Sequence, residues 1–217
     1  MIDTFEYILN KYKIEIGSKS HIVEIPNMGR VQLAELFAEL KFKRGAEIGV
    51  EKGVYSAALL KTNLKLKLFS IDPWKASSYE PGIEGVRYNQ SHYERCYKMA
   101  KGKLRNLNCK IIRKTSMKAV KDFKDKSLDF VYIDGNHNFP NVINDIHEWR
   151  KKVKTGGIVS GHDYMYFSSQ YHNHVKHALL AYTKAYGIKP LFIVGTETYD
   201  KGVIRDRIRS WFWVKFA

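Results

Sequence analysis

Acidic and imidazole side chains follow two apolar runs in the second half of the chain. Asp134 closes "SLDFVYID" (127–134), and His162 with Asp163 closes "GGIVSGHD" (156–163). If these runs are neighbouring strands, the two carboxylates meet and can hold a divalent cation that chelates vicinal hydroxyls and lowers their pKa. Oxygen ligands suit Mg²⁺ or Mn²⁺, whereas an imidazole among them shifts the preference toward Mn²⁺ or another transition metal. The residues therefore predict either a metal site at Asp134, His162 and Asp163 or a site that works without metal.

His137 lies three residues beyond Asp134 and offers the route without metal. An imidazole titrates near neutral pH, so it can accept the proton of a hydroxyl as a general base. A helix cap or a solvent-facing position is an equally open interpretation of this residue. Asp134, His137 and Asp163 are the predicted catalytic residues.

A glycine turn occurs in "RGAEIGVEKGVYSAALL" (44–60), between an apolar run and a helical pattern. A dinucleotide fingerprint would place a third glycine here so that backbone amides approach a pyrophosphate. Instead, Gly49 and Gly53 are accompanied by Glu47 and Glu51, whose charges would repel a phosphate. A ligand with ammonium and sulfonium charges and no phosphate fits better, and S-adenosylmethionine is such a ligand.

Asp72 ends the next apolar run, "LFSID", about 20 residues after the glycine turn. An acid at this place in a nucleoside-binding sheet accepts hydrogen bonds from both ribose hydroxyls. Trp74 follows it and offers an aromatic face near the expected adenine, although core packing explains a tryptophan there equally well.

Short apolar runs alternate with longer amphipathic stretches, which is typical of an α/β fold with a doubly wound, Rossmann-like sheet. We predict seven mostly parallel strands with helices on both faces and an antiparallel C-terminal hairpin at a sheet edge, because the last two strands lack a helical pattern between them. The predicted strands are 45–50, 65–72, 108–114, 127–134, 156–163, 189–195 and 210–216. The predicted helices are 30–41, 53–62, 90–102, 116–123, 140–153 and 172–186.

Composition limits the class of protein. The 217 residues, 44% of them hydrophobic, predict one domain, with an N-terminal helical extension (1–41) on a Rossmann-like core (42–217). The formal charge of +15 favours anionic partners, and residues 98–126 hold eleven basic residues and two acids, although a solvated lysine-rich surface is the simpler interpretation. Two cysteines without metal spacing, and no long apolar run, predict a cytoplasmic protein with no membrane span.

Taken together, these motifs resemble those of class I S-adenosylmethionine-dependent methyltransferases, and the resemblance extends from Gly45 to Phe216. "AEIGVEKG" is similar to the family's E-x-G-x-x-x-G motif. The stretch 128–164 resembles more closely the small-molecule O-methyltransferases that include macrolide-sugar methyltransferases, whose motif runs "DG-x-H" and then, after a helix and "GG", "HDY". The corresponding residues are Asp134, Gly135, His137, Gly156, Gly157, His162, Asp163 and Tyr164.

The resemblance implies a methyltransferase that uses S-adenosylmethionine to methylate a hydroxyl of a small molecule, such as a sugar or glycan, with assistance from Mg²⁺ or Mn²⁺. Several related metal sites have two consecutive acids where this chain has His162 and then Asp163. Asp145 and Trp149 also match the pattern, in packing and orienting roles. The implied cofactor-binding residues are Glu47, Gly49, Gly53, Asp72, Trp74, Thr115, Ser116 and Asp134, although Ser116 also suits the N-cap of the next helix.

Other functions stay open. The positive charge would suit an RNA or other nucleic-acid methyltransferase, although the sequence lacks the N-P-P-Y type of segment after the fourth strand. A non-catalytic S-adenosylmethionine-binding protein and a relative of cephalosporin hydroxylases are the remaining alternatives, and a homo-oligomer is left open. The long connection 74–93, with Tyr79, Tyr88 and Tyr93, and the histidines at 172, 174 and 177 are expected near the mouth of the site.

Overall fold

The computed structural model describes residues 3–17, 21–76, 89–166, 173–198 and 201–216. Within them an eight-stranded sheet has the order β1-β7-β8-β6-β5-β2-β3-β4. The strands are β1 (Ile22–Ile25), β2 (Arg44–Ile48), β3 (Lys67–Ile71), β4 (Cys109–Ile112), β5 (Leu128–Ile133), β6 (Val153–Gly161), β7 (Leu191–Val194) and β8 (Trp211–Val214). The helices are α1 (Thr4–Tyr12), α2 (Arg30–Glu39), α3 (Val54–Thr62), α4 (Gln90–Leu104), α5 (Ser116–Ala119), α6 (Phe139–Lys152) and α7 (Val175–Ala185).

The predicted fold class is confirmed, with one strand more than the seven that were predicted. All seven predicted strands are present, and β8 alone runs antiparallel to its neighbours β6 and β7. The additional strand β1 lies in the segment that was predicted to be a helical extension and pairs in parallel with β7. It was missed because four residues are too few to show an alternating pattern and because Ile22, on this edge strand, is 41% exposed.

The C-terminal hairpin was predicted at the edge of the sheet but lies inside it. β8 inserts between β6 and β7, and β1 then covers the free side of β7. The predicted helices are present with shifted ends, and the stretch 116–123 forms the short α5 followed by a 3₁₀ turn at Val120–Asp122.

Alternate residues of the strands feed two apolar layers, because side chains of a strand point to opposite faces of the sheet. In β5, Phe130 and Tyr132 face the layer built with α2 and α3, whereas Val131 and Ile133 face the layer built with α6 and α7. Phe130 stacks on Phe37 of α2, with 4.2 Å between ring centres. The sheet is therefore covered on both faces and leaves the ends of its strands accessible.

The surface of the basic segment 98–126 is solvated. All eleven of its lysines and arginines are exposed, which agrees with the simpler interpretation of that segment. Among the described residues we find no helix with the length and apolar character needed to span a bilayer.

Candidate functional site

The register of the parallel strands brings the predicted site residues together at the carboxyl ends of the central strands. Ile48 at the end of β2 lies opposite Ile133 of β5, and Ile133 lies opposite Gly161 of β6. The hydrogen-bond ladder continues past the strands, since Asp134 N donates to Ile48 O at 2.7 Å and His162 N donates to Ile133 O at 3.0 Å. The glycine turn, Asp134 and the pair His162-Asp163 therefore follow three adjacent strand ends.

The glycine turn packs tightly against the end of β5. Gly49 has a φ of +88°, and a Cβ atom there would lie 1.9 Å from the carbonyl oxygen of Asp134. Glycine is therefore required at this position, because any Cβ atom would clash with the backbone of Asp134. Gly53, also with a positive φ, precedes the first residue of α3.

The carboxylate of Asp72 fixes the shape of this turn. One oxygen accepts hydrogen bonds from the backbone N–H groups of Val50 and Glu51, both at 3.0 Å, and the other accepts from Trp74 N at 2.7 Å. Burial raises the pKa of Asp72, and these three hydrogen bonds oppose that shift. Asp72, the predicted ribose-binding residue, thus accepts hydrogen bonds from the backbone of the adjacent turn.

Glu47 lies beneath the turn and not at its surface. The residue is 2% exposed, and its carboxyl group accepts a hydrogen bond from Ser56, whose hydroxyl also contacts Ser70 Oγ at 2.8 Å. Burial raises the pKa of Glu47 to about 8, against the opposing effect of the Ser56 hydrogen bond. A contact between Glu47 and the methionine portion of the ligand stays a prediction.

Trp74 and Ser116, two of the three residues predicted near the adenine, are engaged within the protein, whereas Thr115 is exposed. Trp74 is fully buried, donates from Nε1 to Glu51 O at 2.8 Å and packs on Tyr97 at 4.9 Å between rings. Thr115 is the N-cap of α5 and makes no side-chain capping bond. Ser116, in the first turn of that helix, donates to the buried Asp145.

Asp145 and Trp149 of α6 hold Ser116 in place, in agreement with the packing and orienting roles predicted for them. Trp149 Nε1 donates to Ser116 Oγ at 2.8 Å, and that hydroxyl in turn donates to the Asp145 carboxyl. Burial raises the pKa of Asp145 to about 7, and the Ser116 hydrogen bond opposes this shift. Ser116 therefore links the end of β4 to α6.

Two acids and two imidazoles cluster at the ends of β5 and β6. His137 Nε2 lies 3.1 Å from Asp163 Oδ2 and 3.7 Å from Asp134 Oδ1. His162 Nδ1 lies 3.2 Å from Asp163 Oδ2 and 3.9 Å from Asp134 Oδ2. Asp163 is the deeper carboxylate, with an 8% exposed side chain, whereas the side chain of Asp134 is 26% exposed. We call these four residues the acid–histidine cluster.

Burial and charge act against one another in the acid–histidine cluster. Burial disfavours the charged imidazole of His137, but the two carboxylates outweigh it and raise its pKa to about 10. They also raise the pKa of His162 despite burial. Burial raises the pKa of Asp134, whereas the two imidazoles outweigh burial at Asp163 and hold its pKa well below the usual range.

The donor atoms of Asp134, His162 and Asp163 fit a shared cation. One ligand atom from each lies within 4.8 Å of the others, which is the spacing that a common metal with bonds near 2.0–2.4 Å requires. His137 Nε2 is buried and has no hydrogen-bond partner of good geometry among the described residues, although it faces Asp163. The predicted metal ligands are thus brought together, with a further polar atom beside them.

The buried hydroxyl partners of Glu47 were not anticipated from the sequence. Ser56 interrupts the apolar run of α3 and Ser70 that of β3, and Cys109 Sγ of β4 donates to Ser70 Oγ at 3.2 Å. The available signal was a single polar residue inside each otherwise apolar run.

Several residues expected at the mouth of the site lie outside the described residues, namely Tyr79, Tyr88 and His172. His174, in contrast, is described and is joined to the site. Its backbone N–H donates to His137 O at 2.9 Å, and its Nδ1 accepts from Phe139 N at 3.1 Å. His177 packs on Tyr166, with 5.1 Å between ring centres.

Comparison with known families decides the class of the protein. The family of methyltransferase domains matches residues 46–164, which include the glycine turn, Asp72 and the acid–histidine cluster. The chain belongs to this methyltransferase domain family. The predicted resemblance to class I S-adenosylmethionine-dependent methyltransferases is thereby confirmed, and residues 46–164 are an S-adenosylmethionine-dependent methyltransferase domain.

One relative is similar to this chain in sequence, and several solved structures are similar to it in fold. A segment of the uncharacterized protein y4gI of Sinorhizobium fredii is 27% identical over 128 residues, a match that takes in 57% of this chain and 13% of that protein. Cofactor-bound Rv0187 from MTB has a TM-score of 0.59 at 11% identity, with 100% of this chain and 92% of that chain covered.

Two further structures show the same architecture. The O-methyltransferase from Bacillus cereus in complex with SAH has a TM-score of 0.56 at 14% identity, with 99% and 92% of the two chains covered. An rRNA methylase from Streptococcus thermophilus has a TM-score of 0.58 at 9% identity, with 87% and 97% covered. At these identities the likeness concerns the fold.

Proposed function

We propose that this chain transfers the methyl group of S-adenosylmethionine to a hydroxyl oxygen of a small molecule such as a sugar or glycan. The observation that carries the proposal is the acid–histidine cluster, which lies at the strand ends next to the glycine turn. Methyl transfer needs an oxygen held in line with the methyl group and a group that takes its proton. A fold shared with an O-methyltransferase is consistent with that chemistry.

The cofactor fits the character of the turn and its surroundings. When bound, S-adenosylmethionine supplies an electrophilic methyl group on a cationic sulfur. We propose that the close backbone at Gly49 and the ionised carboxylates near it, those of Glu51 and Asp72, accept this ligand, because carboxylates favour ammonium and sulfonium charges. Asp72 would hold the turn in shape while its one remaining lone pair meets a ribose hydroxyl.

Asp134 is the proposed proton acceptor. It is the more exposed of the two carboxylates, and burial raises its pKa, which makes it a stronger base than an aspartate in water. His162 and His137 would face it, and Asp163 would hold both imidazoles in position. The proposed catalytic residues are thus Asp134, His137 and Asp163, in different roles.

A divalent metal is proposed at Asp134, His162 and Asp163. The spacing of their donor atoms supports this assignment. One imidazole among the ligands favours Mn²⁺ or another transition metal over Mg²⁺. When bound, the cation would supply a positive charge that orients a hydroxyl and lowers its pKa.

An RNA substrate is the second candidate, and one surface feature favours it. A groove of about 440 Å³ beside the edge strand β4 is lined by Asp122 and by four cationic side chains, three of which belong to the exposed basic segment 98–126. The four are Arg44, Lys110, Arg113 and Lys114. Such a groove attracts a phosphate backbone, and its binding would weaken steeply with salt.

The test begins with calorimetry of the purified full chain against S-adenosylmethionine and its demethylated product. Release of that product is then followed with sugars, glycans, other vicinal diols and RNA, with EDTA and with Mn²⁺ restored. We expect binding of both ligands, turnover with a hydroxylated small molecule, and loss of turnover in EDTA. Failure to bind either ligand would overturn the proposal, turnover with RNA alone would select the second candidate, and activity unaffected by EDTA would remove the metal.

A further inference from the structure

A second group of metal-binding side chains lies away from the acid–histidine cluster, between the glycine turn and α4. It consists of Glu51 in the turn and of His92 and Cys96 on the helix, with one ligand atom of each within 4.8 Å of the others. His92 and Cys96 are four residues apart and so share one face of α4. This group mixes a carboxylate, an imidazole and a thiol, whereas the acid–histidine cluster contains no sulfur.

The separation of the two helix residues suits a shared metal. Cys96 Sγ lies 3.3 Å from His92 Nε2. A tetrahedral zinc ion with bonds of about 2.3 Å to sulfur and about 2.05 Å to nitrogen would hold these atoms about 3.6 Å apart. The observed distance differs from that value by a few tenths of an ångström, which a small rotation of either side chain supplies.

The cysteine of this group is buried in an apolar environment that raises the pKa of its thiol, so a thiolate there requires the charge of a bound cation. Cys96 is 1% exposed and packs with Val50, Trp74 and Ala100, so the sulfur is shielded from water on its inner side. His92 is half-buried, and Glu51 closes the group from the solvent side. The Glu51 carboxylate also pairs with Lys52 at 2.9 Å, but that pair is exposed and exchanges at little cost in free energy.

We propose that Glu51, His92 and Cys96 form a zinc site that fastens α4 to the glycine turn. Three protein ligands of this mixed type leave one position for water, as in open zinc sites, and a thiolate selects Zn²⁺ over Mg²⁺ or Ca²⁺. Because Glu51 N also donates to Asp72, the metal would stiffen the turn that adjoins the cofactor pocket. The site does not depend on which acceptor is methylated.

Cobalt is the probe that tests the assignment, because a cobalt thiolate absorbs in the near ultraviolet and cobalt bound by oxygen and nitrogen alone does not. The full chain is titrated with Co²⁺ and then with Zn²⁺, which should displace it. We expect one thiolate-bound cobalt per chain, its loss in Cys96→Ser, and an affinity at least about tenfold lower in His92→Ala and Glu51→Gln. Zinc should raise the thermal midpoint of the wild-type chain by more than that of His92→Ala, in which only the acid–histidine cluster is left to bind it.

Two matched variants distinguish this site from the second cysteine and from the acid–histidine cluster. Cys109→Ser removes the other cysteine and should retain the cobalt thiolate band, and Asp163→Asn impairs the acid–histidine cluster and should also retain it. A band that survives in Cys96→Ser or vanishes in Cys109→Ser would overturn the assignment, as would binding without a thiolate band. If Cys96→Ser does not fold, the half-buried His92→Ala decides, since unaltered cobalt affinity there would also overturn it.

Discussion

The site has two neighbouring parts at the carboxyl ends of the strands, and the carboxyl groups of the two parts have different hydrogen-bond partners. At the glycine turn, Asp72 is bound by backbone N–H groups and Glu47 by the hydroxyl of Ser56. At the ends of β5 and β6, Asp134 and Asp163 face two imidazoles instead. Backbone amides and hydroxyls keep their protons throughout the physiological pH range, whereas imidazoles gain, lose and exchange theirs.

The difference indicates a division of labour. A carboxylate held by backbone N–H groups fixes the chain, because moving it leaves buried donors unsatisfied. A carboxylate held by an imidazole can exchange that partner for a metal ion or a substrate hydroxyl. The turn therefore gives the site its shape, and the acid–histidine cluster supplies groups that can react.

Asp163→Asn gives the sharpest test of this division. Asparagine tolerates the φ of +65° at this position and keeps the size of the side chain, but it removes the charge that holds both imidazoles. Methyl transfer should fall by about 10²–10⁴-fold, the usual contribution of a positioned acid–base group. The measurement is the initial rate of methyl transfer, with circular dichroism to confirm the fold.

Asp122→Asn is the matched control, since Asp122 is an exposed aspartate paired with Lys114. It should leave the rate of methyl transfer unchanged. A wild-type rate of methyl transfer in Asp163→Asn would mean that the reaction does not depend on the acid–histidine cluster. The proposed difference in role between the cluster and the glycine turn would then be wrong.

Asp72→Asn probes the other part of the site. An amide has one acceptor oxygen, so with that oxygen toward Val50 N and Glu51 N its NH₂ group would face the Trp74 donor, and the two bonds that remain would lose the charge of the carboxylate. We expect the free energy of unfolding to fall by about 3 kcal/mol and the affinity for S-adenosylmethionine to fall with it. Urea unfolding followed by tryptophan fluorescence, together with calorimetry, measures both.

The control for Asp72→Asn is Asp125→Asn, at an exposed aspartate paired with Lys152. Surface ion pairs contribute about 0–1 kcal/mol, so little change is expected. If Asp72→Asn unfolds at the same urea concentration as the wild type, the turn does not depend on this carboxylate.

The fold was largely predictable because its central strands are long apolar runs. Residues 130–133 of β5 are consecutive apolar residues, and residues 157–161 of β6 are all buried, since parallel strands covered on both faces bury nearly every residue of their central part. β1 was not predictable from its own four residues, because an edge strand is half exposed and its pairing depends on β7, more than 160 residues further along the chain. The insertion of β8 next to β6 is likewise a long-range choice.

The site residues that directly follow a strand were predictable, whereas the burial of a site residue inside a strand was not. Asp134, His162 and Asp163 come directly after their strands, so the parallel register alone brings them together. Glu47 lies inside β2, and its burial depends on the hydroxyls of Ser56 and Ser70, which belong to other elements. A sequence shows that an acid is present, but not whether a partner makes its burial tolerable.

Glu47→Gln examines that burial through the pH dependence of the free energy of unfolding. The pKa of Glu47 is about 8 in the folded chain against 4.5 for an unburied glutamate, so the folded state holds this proton more tightly than the unfolded state. Its stabilising contribution is therefore complete below pH 4.5 and is lost as the pH rises to about 8. Glutamine keeps the hydrogen bond from Ser56 without the titration.

The quantity to measure is the free energy of unfolding of the wild type minus that of Glu47→Gln, by urea unfolding from pH 4.5 to pH 8. We expect this difference to decline as the pH rises, by at most about 1.4 kcal/mol per pH unit, because one proton is involved. Glu35→Gln, at an exposed glutamate on α2, should give a nearly flat difference. If the difference for Glu47→Gln is also independent of pH, Glu47 is ionised in the folded chain and contacts solvent or ligand directly. The contrast between the glycine turn and the acid–histidine cluster would then be removed.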